Sequence, residues 1–543
     1  MYNKYVKAFI ALIVTSMLFA FFPKVFVFSQ EETDKIIEVE DQELKRSILE
    51  AIGKTSSDDI LKSDVLGITK LQIDTSVSFG MMGKKQIEDI TPLKHFINLT
   101  ELRIVAKSSG GSIIKDVTPL TGLTNLKHLS LSNNPINDIS PLENLKNLTY
   151  LDLSYTSIND ITSLKSLKNL SYLNLSNNSL KAINLDSLTY LPNIESLDLS
   201  NTQIEDISIL GKIDSLTNVN ISNNKISDLS ALGSLNNLNS LNLSKNQIID
   251  LTALSNLNNL DTLNLSKNQI IDLTALSNLN TLNSLNLSNN QISNLESLSK
   301  LTNLNELLLD SNNFGEIIQL GSLKNLKSLT LCDNKINDFS PLENLLNLTY
   351  LGLNDTGISD LSSLSALLNL ENLYLCVNNI ENIEPLSKLS ALHFLYLPTN
   401  SIKDISPLSK LSNLKVLSLE HNPINNSQTP DAIHKPELDF SVGNNTYEVW
   451  VIEKSSFQYG DLNNDGGVNA IDFALLRGQL LGTRPLSGDD WEKYADLNLD
   501  SAVNAIDFAV LRQYLLGMID TLPYISGLVT PEPTPTVNLC ADF

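Results

Sequence analysis

Aromatic residues make up only 6% of the chain, so its core is not built on Phe, Tyr and Trp. Cysteine is nearly absent as well. Three cysteines among 543 residues exclude a disulfide-stapled framework. The five histidines (His95, His128, His393, His421, His434) are scattered, and none makes a spacing that reads as a metal or nucleophile site; each is expected on the surface. Basic residues are outnumbered, 38 against 61 acidic, which leaves a net charge of −23. That balance argues against nucleic acid and anionic membrane surfaces as partners, and it suits a soluble protein in a cation-containing medium.

What is present is leucine at fixed intervals, within an apolar content of 42%. Residues 260–280 read LDTLNLSKNQIIDLTALSNLN, with Leu260, Leu263, Leu265, Ile270, Leu273, Leu276 and Leu279 as apolar positions. The next unit begins at Leu282 and the previous one at Leu238, a step of 22 residues each way. A period of that length means a solenoid, in which each unit is one turn and buries its apolar edge only against its neighbours. Leu263 and Leu265 are two apart, so they share one side of a short strand. Stacked turns align these strands into a parallel sheet. Asn268 stands where the chain leaves the strand, and its amide can bond backbone groups of adjacent turns. Threonine replaces asparagine at Thr156, Thr202 and Thr356. Segments such as Asp-Ile-Ser-Pro-Leu at 138–142 and 404–408 predict brief 3₁₀ turns on the convex side. The expected fold class is an α/β repeat solenoid with the parallel sheet on its concave face. This arrangement resembles the leucine-rich repeat family, and its 22-residue unit looks most like the bacterial internalin-type branch.

In chain order, 1–29 reads as an export signal. Lys4 and Lys7 form the positive start, 8–22 the apolar run, and Val27 and Ser29 the small residues of a cleavage site. The competing reading is a membrane anchor, for which the run is short. Export makes the mature protein extracellular, with no membrane span after cleavage. Residues 30–67 lack the repeat; Asp41 is an N-cap candidate, and Leu44, Ile48 and Ile52 keep helical spacing up to Gly53, so a helical cap over the first turn is expected. Repeats, about 16 of them, occupy 68–424, with a strict register from Leu126 broken by one insertion near Asp186. Residues 241–258 and 263–280 are identical, which points to length rather than a tailored surface. Cys332 and Cys376 fall at equivalent positions two turns apart, roughly 10 Å between Cα atoms, beyond bridging range.

The outward strand residues of the concave face are where a solenoid is expected to bind. In the middle they are bland (Asn220, Asn242, Asn264, Asn286). Toward the C-terminal end they become Tyr350, Tyr374, Phe394 and Tyr396, with Asp333 and Asp355 beside them, and a smaller group holds Tyr150, Tyr155 and Tyr172. Exposed aromatics there suit a protein or carbohydrate ligand. The alternative is ordinary strand-favouring residues on a wet sheet.

After 424, residues 425–458 read as a C-terminal cap and linker, with strands expected over 439–452 to close the open end. Then DLNNDGGVNAID at 461–472 and DLNLDSAVNAID at 496–507 place oxygen side chains at loop positions one, three, five, nine and twelve. These are Asp461, Asn463, Asp465, Asn469 and Asp472, with the Gly467 carbonyl, and Asp496, Asn498, Asp500, Asn504 and Asp507, with the Ala502 carbonyl. Such a cage suits calcium, one ion per loop and two in all. Ser501 stands where the first loop has Gly466, which weakens the second site. Each loop runs into a helical pattern, but no clear helix precedes the first and aspartate closes both. This resembles the type I dockerin, over 459–525, a small all-α calcium-folded module. The resemblance implies docking to a cohesin domain of a cellulosome scaffoldin, through Ala470, Ile471 and Arg477 in one half and Ala505, Ile506 and Arg512 in the other, in two orientations. Residues 526–543 form a Pro/Thr-rich tail.

Together these features predict a secreted, non-catalytic binding protein: the repeats hold a ligand and the calcium-dependent module ties the chain to a polysaccharide-degrading complex. An adhesin or protease-inhibitor-like protein differs from this only in its ligand. An enzyme is disfavoured, because the array leaves no room for a catalytic domain and its carboxylates are dispersed rather than paired.

Overall fold

The computed structural model describes residues 34–55, 58–74, 87–105, 114–181 and 183–424, and the backbone alone of Ile433–His434, Phe440–Val442, Asn445–Tyr447 and Val449–Ile452. The chain divides into two compact units, Met1–Leu148 and Thr149–Phe543.

The first unit opens with the helix Gln42–Ala51. Asp41 accepts hydrogen bonds from the N–H groups of Glu43 and Leu44, which satisfies donors that a helix start leaves orphaned. The helix ends where Gly53 takes φ +70°. There the Gly53 N–H donates to Glu50 O and the Lys54 N–H to Leu49 O, a stop that needs a residue tolerant of the left-handed region. Leu44, Ile48 and Leu49 form the buried face; Ile52 is only half-buried. Three parallel strands follow, Lys70–Asp74, Glu101–Val105 and His128–Ser130, in a register that aligns Leu71, Leu102 and Leu129.

The second unit repeats one turn thirteen times, from the strand Tyr150–Asp152 to the strand Val416–Ser418. Neighbouring strands pair in parallel with the central leucine always opposite its counterpart, as in Leu263↔Leu285↔Leu307. These leucines are buried, and each contributes about 2 kcal/mol by leaving water. After the strand one residue enters the left-handed region, with φ between 48° (Asp355) and 59° (Asn177) within this unit's column. Asparagine tolerates that conformation, but the column also holds Lys267, Val377 and Thr399.

Next comes the ladder asparagine. Nδ2 of Asn268 donates to Leu243 O at 3.0 Å, Leu265 O at 3.0 Å and Ser266 O at 3.3 Å, while its Oδ1 accepts the Ile248 N–H at 3.1 Å. One buried side chain thus satisfies backbone groups of two turns, as its place after the strand predicted. Thr156 and Thr202 do part of this through Oγ1, and each also donates to the asparagine one turn on. The convex side is a series of 3₁₀ turns, of which Ser406–Lys410 carries the expected proline. Many open on an aspartate whose carboxylate accepts an N–H two residues on, such as Asp250 Oδ1 from Thr252 at 2.8 Å. The insertion near Asp186 becomes a longer 3₁₀ run, Leu185–Tyr190, capped by Asn184.

A second asparagine ladder runs along the exposed edge before the strands. Nδ2 of Asn237 donates to Asp214 O at 2.9 Å, and Asn259, Asn303, Asn325 and Asn347 repeat the bond to their own preceding turns. At the other end Val449–Ile452 pairs antiparallel with the last strand, setting Trp450 opposite Leu417, and covers an edge that would otherwise expose a row of unpaired backbone groups.

Candidate functional site

The strand face carries short polar side chains through the middle of the second unit. There the third strand residue supports its own backbone. Asn264 Oδ1 accepts the N–H of Ser266 at 3.0 Å, and Asn286 does the same for Ser288 at 3.0 Å. From Leu308 onward that position holds Leu308, Thr330, Gly352, Tyr374 and Tyr396 in turn. These side chains leave the backbone two residues on without its usual acceptor.

The adjacent column compensates. It holds serine from Ser154 to Ser288, then Asp310, Cys332, Asn354, Cys376 and Pro398. Asp310 Oδ1 accepts the N–H of Cys332 at 2.8 Å, and Asn354 Oδ1 accepts the N–H of Cys376 at 2.7 Å. Pro398 has no N–H to satisfy. Asp310 is buried; its Oδ2 also accepts from the hydroxyls of Thr330 at 2.6 Å and Ser288 at 3.3 Å. Burial raises its pKa above the ordinary carboxylate value, against the pull of those donors. Burial and the facing Asp310 likewise push the Cys332 thiol up, so it is an inert thiol; Cys332 and Cys376 are both buried and neither is in a disulfide.

The tyrosines stand on this foundation. Tyr374 and Tyr396 are direct partners across the sheet, with ring centroids 4.8 Å apart and planes 4° from parallel. Tyr350 sits two residues earlier in the strand register and lies 5.1 Å from Tyr374 at 36°. Gly352 stands opposite Tyr374 in the register, and a Cβ there would crowd the turn before it, meeting Cys332 Sγ and Thr330 Cγ2 at 3.2 Å. A hydrogen bond joins the Tyr350 and Tyr374 side chains. Burial raises the pKa of all three phenols, that of Tyr396 to about 12, so the ladder is uncharged across the physiological range.

Phe394 occupies the first strand position, opposite Asn372 and Val416, and is half-buried. In the smaller group Tyr150 and Tyr172 stack at 4.3 Å and 2°. Tyr155 does not join them. It is the left-handed residue after its strand, φ 52°, and more than half exposed. On the same rim Asp333 and Asp355 are exposed, and beside Asp333 lies a recess of about 200 Å³ lined by Asn312, Asn313, Phe314, Gly315, Asn334 and Lys335.

Reading by residue type found the tyrosines but missed Asp310, Asn354 and Gly352. The signal was present, as the point where the serine column ends. Among the described residues no three His, Cys, Asp or Glu side chains come together to hold a metal, and no helix is long and apolar enough to cross a membrane. The expected signal at 1–29, the calcium loops at 461–472 and 496–507, and the docking residues Ala470, Ile471, Arg477, Ala505, Ile506 and Arg512 lie outside the described residues.

Comparison with known families covers both regions. The family model described as a dockerin type I domain matches residues 459–516. A model of two leucine-rich repeats matches 124–169 and 192–234, and a further leucine-rich repeat model matches 158–204. Among solved structures, a leucine-rich repeat protein from Leptospira interrogans is 23% identical, covering 68% of this chain and 93% of its own, with a TM-score of 0.52. An internalin from Listeria monocytogenes is 28% identical, covering 69% and 94%, with a TM-score of 0.47. No curated protein matches the chain.

Proposed function

We propose that this chain, a leucine-rich repeat array carrying a C-terminal type I dockerin domain, is a secreted, non-catalytic adaptor that brings a ligand to a cellulosome. Both modules are non-catalytic kinds of domain, and dockerins are typical of extracellular cellulosome proteins with a cohesin as partner. The observation that carries the reading is the dockerin match at 459–516, which spans both oxygen-rich loops on the same chain as the array. The donor set of each loop is all oxygen, which fits a hard cation. Asp461, Asn463, Asp465, Asn469, Asp472 and the Gly467 carbonyl would hold one calcium ion. Asp496, Asn498, Asp500, Asn504, Asp507 and the Ala502 carbonyl would hold the second. When bound, the metal supplies folding free energy rather than chemistry.

Ala470 and Ile471, with Arg477, form one cohesin-facing patch; Ala505 and Ile506, with Arg512, form the other. The ligand lies on the strand face around Tyr350, Tyr374, Phe394 and Tyr396. The test is capture of the full chain by an immobilised type I cohesin in calcium. Replacing Ile471→Asp and Ile506→Asp together abolishes capture while calcium binding persists, whereas either change alone has a small effect because the other orientation remains. Full capture by the double variant would refute the assignment of the docking surface.

A further inference from the structure

The strand-face tyrosines differ in one respect from an aromatic platform. Tyr374 has Tyr350 over one face and Tyr396, nearly parallel at 4.8 Å, over the other. A sugar ring packs its C–H groups on an open aromatic face, and Tyr374 has no such face to offer. Its ring edge remains for a ligand, while its hydroxyl is hydrogen-bonded to Tyr350. Tyr150 and Tyr172 cover one face of each other.

The rim of these turns differs as well. Most aspartates of the array hold backbone groups in place, such as Asp250, Asp338 and Asp360 at the starts of 3₁₀ turns and Asp198 along its strand. Asp333 and Asp355 do not: they are exposed, and neither carboxylate has a hydrogen-bond or ion-pair partner among the described residues. They hold the left-handed position that Lys245 and Lys267 hold in the duplicated turns. The charge of this column is therefore reversed where the tyrosines begin.

We propose that the Tyr350–Tyr374–Tyr396 ladder and the open carboxylates of Asp333 and Asp355 form a docking surface for a lysine- or arginine-bearing segment of another protein. Such a side chain matches the surface at both ends. Its aliphatic stem lies along ring edges and its cationic head reaches the anionic rim and the phenol oxygens. The inference rests on the strand face being the ligand surface and adds the class of ligand.

The test uses the full chain in calcium and three probes under calorimetry: a short alternating lysine–serine peptide, its glutamate–serine counterpart, and cellohexaose. The basic peptide binds, and high salt weakens it. Tyr374→Asn with Tyr396→Asn, residues the same column uses at Asn264 and Asn286, weakens it about thirtyfold. Asp333→Asn with Asp355→Asn, which suits the left-handed backbone, weakens it about fivefold. Asn264→Ser changes nothing. Equal binding of the acidic peptide, or binding of cellohexaose lost in the tyrosine variant, would overturn the ligand class while leaving the face as the ligand surface. Unchanged binding of the basic peptide in the tyrosine variant would overturn both.

Discussion

The duplicated turns around Leu263 and the tyrosine-bearing turns around Leu373 share one frame and differ in how they satisfy it. In the former, each strand asparagine tends its own turn: Asn242 and Asn264 accept the N–H of Ser244 and Ser266. In the latter that position has been given over to Thr330, Tyr374 and Tyr396, and the same backbone donor is caught by Asp310 or Asn354 from one turn earlier, or removed by Pro398. A tailored surface on a repeat therefore needs changes in two columns. Freeing a strand residue for a ligand leaves a buried donor behind it, and a neighbour must accept it.

That difference can be broken in order of expected effect. Asn268→Ala and Asn378→Ala remove the ladder amide from each kind of turn and leave several buried backbone groups unpaired, so each costs about 3 kcal/mol by urea unfolding. Similar losses would show that the frame is common to both. Asp310→Ala strands the Cys332 N–H and costs about 2 kcal/mol, whereas Ser266→Ala, whose N–H is held by its own strand, costs less than about 1 kcal/mol.

Asp310→Asn keeps an acceptor, as Asn354 does, and removes a buried charge. Because burial raises the Asp310 pKa above 3.8, the folded chain binds that proton more tightly than the unfolded one. The stability this proton confers is present in full below 3.8 and is lost as pH rises through the folded value. The variant is thus expected to gain on the wild type as pH rises from 3.8 toward neutrality, read from unfolding midpoints across that range. A constant difference would contradict the buried-carboxyl account. At the rim a gain is expected instead of a loss: Val377→Asn relieves a β-branched residue at φ 56° and stabilises by about 1 kcal/mol, more than Lys267→Asn at φ 57°.

Much of this was legible in the order of residues. Leucines two apart at a fixed period specify a strand whose side chains share a face, and an asparagine after each strand specifies the ladder, because neither depends on what the neighbouring turn contains. The strand-face tyrosines were legible for the same reason. Asp310 was not, since its role comes from the missing acceptor at Thr330 and not from its own surroundings in the chain. Nor was the grouping of Tyr155 correct: it lies five residues from Tyr150, but the backbone turns left-handed between strand and ladder and carries it off the strand face. The second asparagine ladder, at Asn237 and its equivalents, repeats as regularly as the first but sits among so many other asparagines that spacing alone does not set it apart.

Hydrogen exchange on the full chain, with calcium and after chelation, tests most directly whether a metal-independent array carries a metal-dependent tether. Protection over 459–516 is expected to vanish when calcium is removed, while the strands from Tyr150–Asp152 to Val416–Ser418 keep theirs unchanged. Protection of 459–516 that survives chelation, or is lost together with that of the array, would contradict the account.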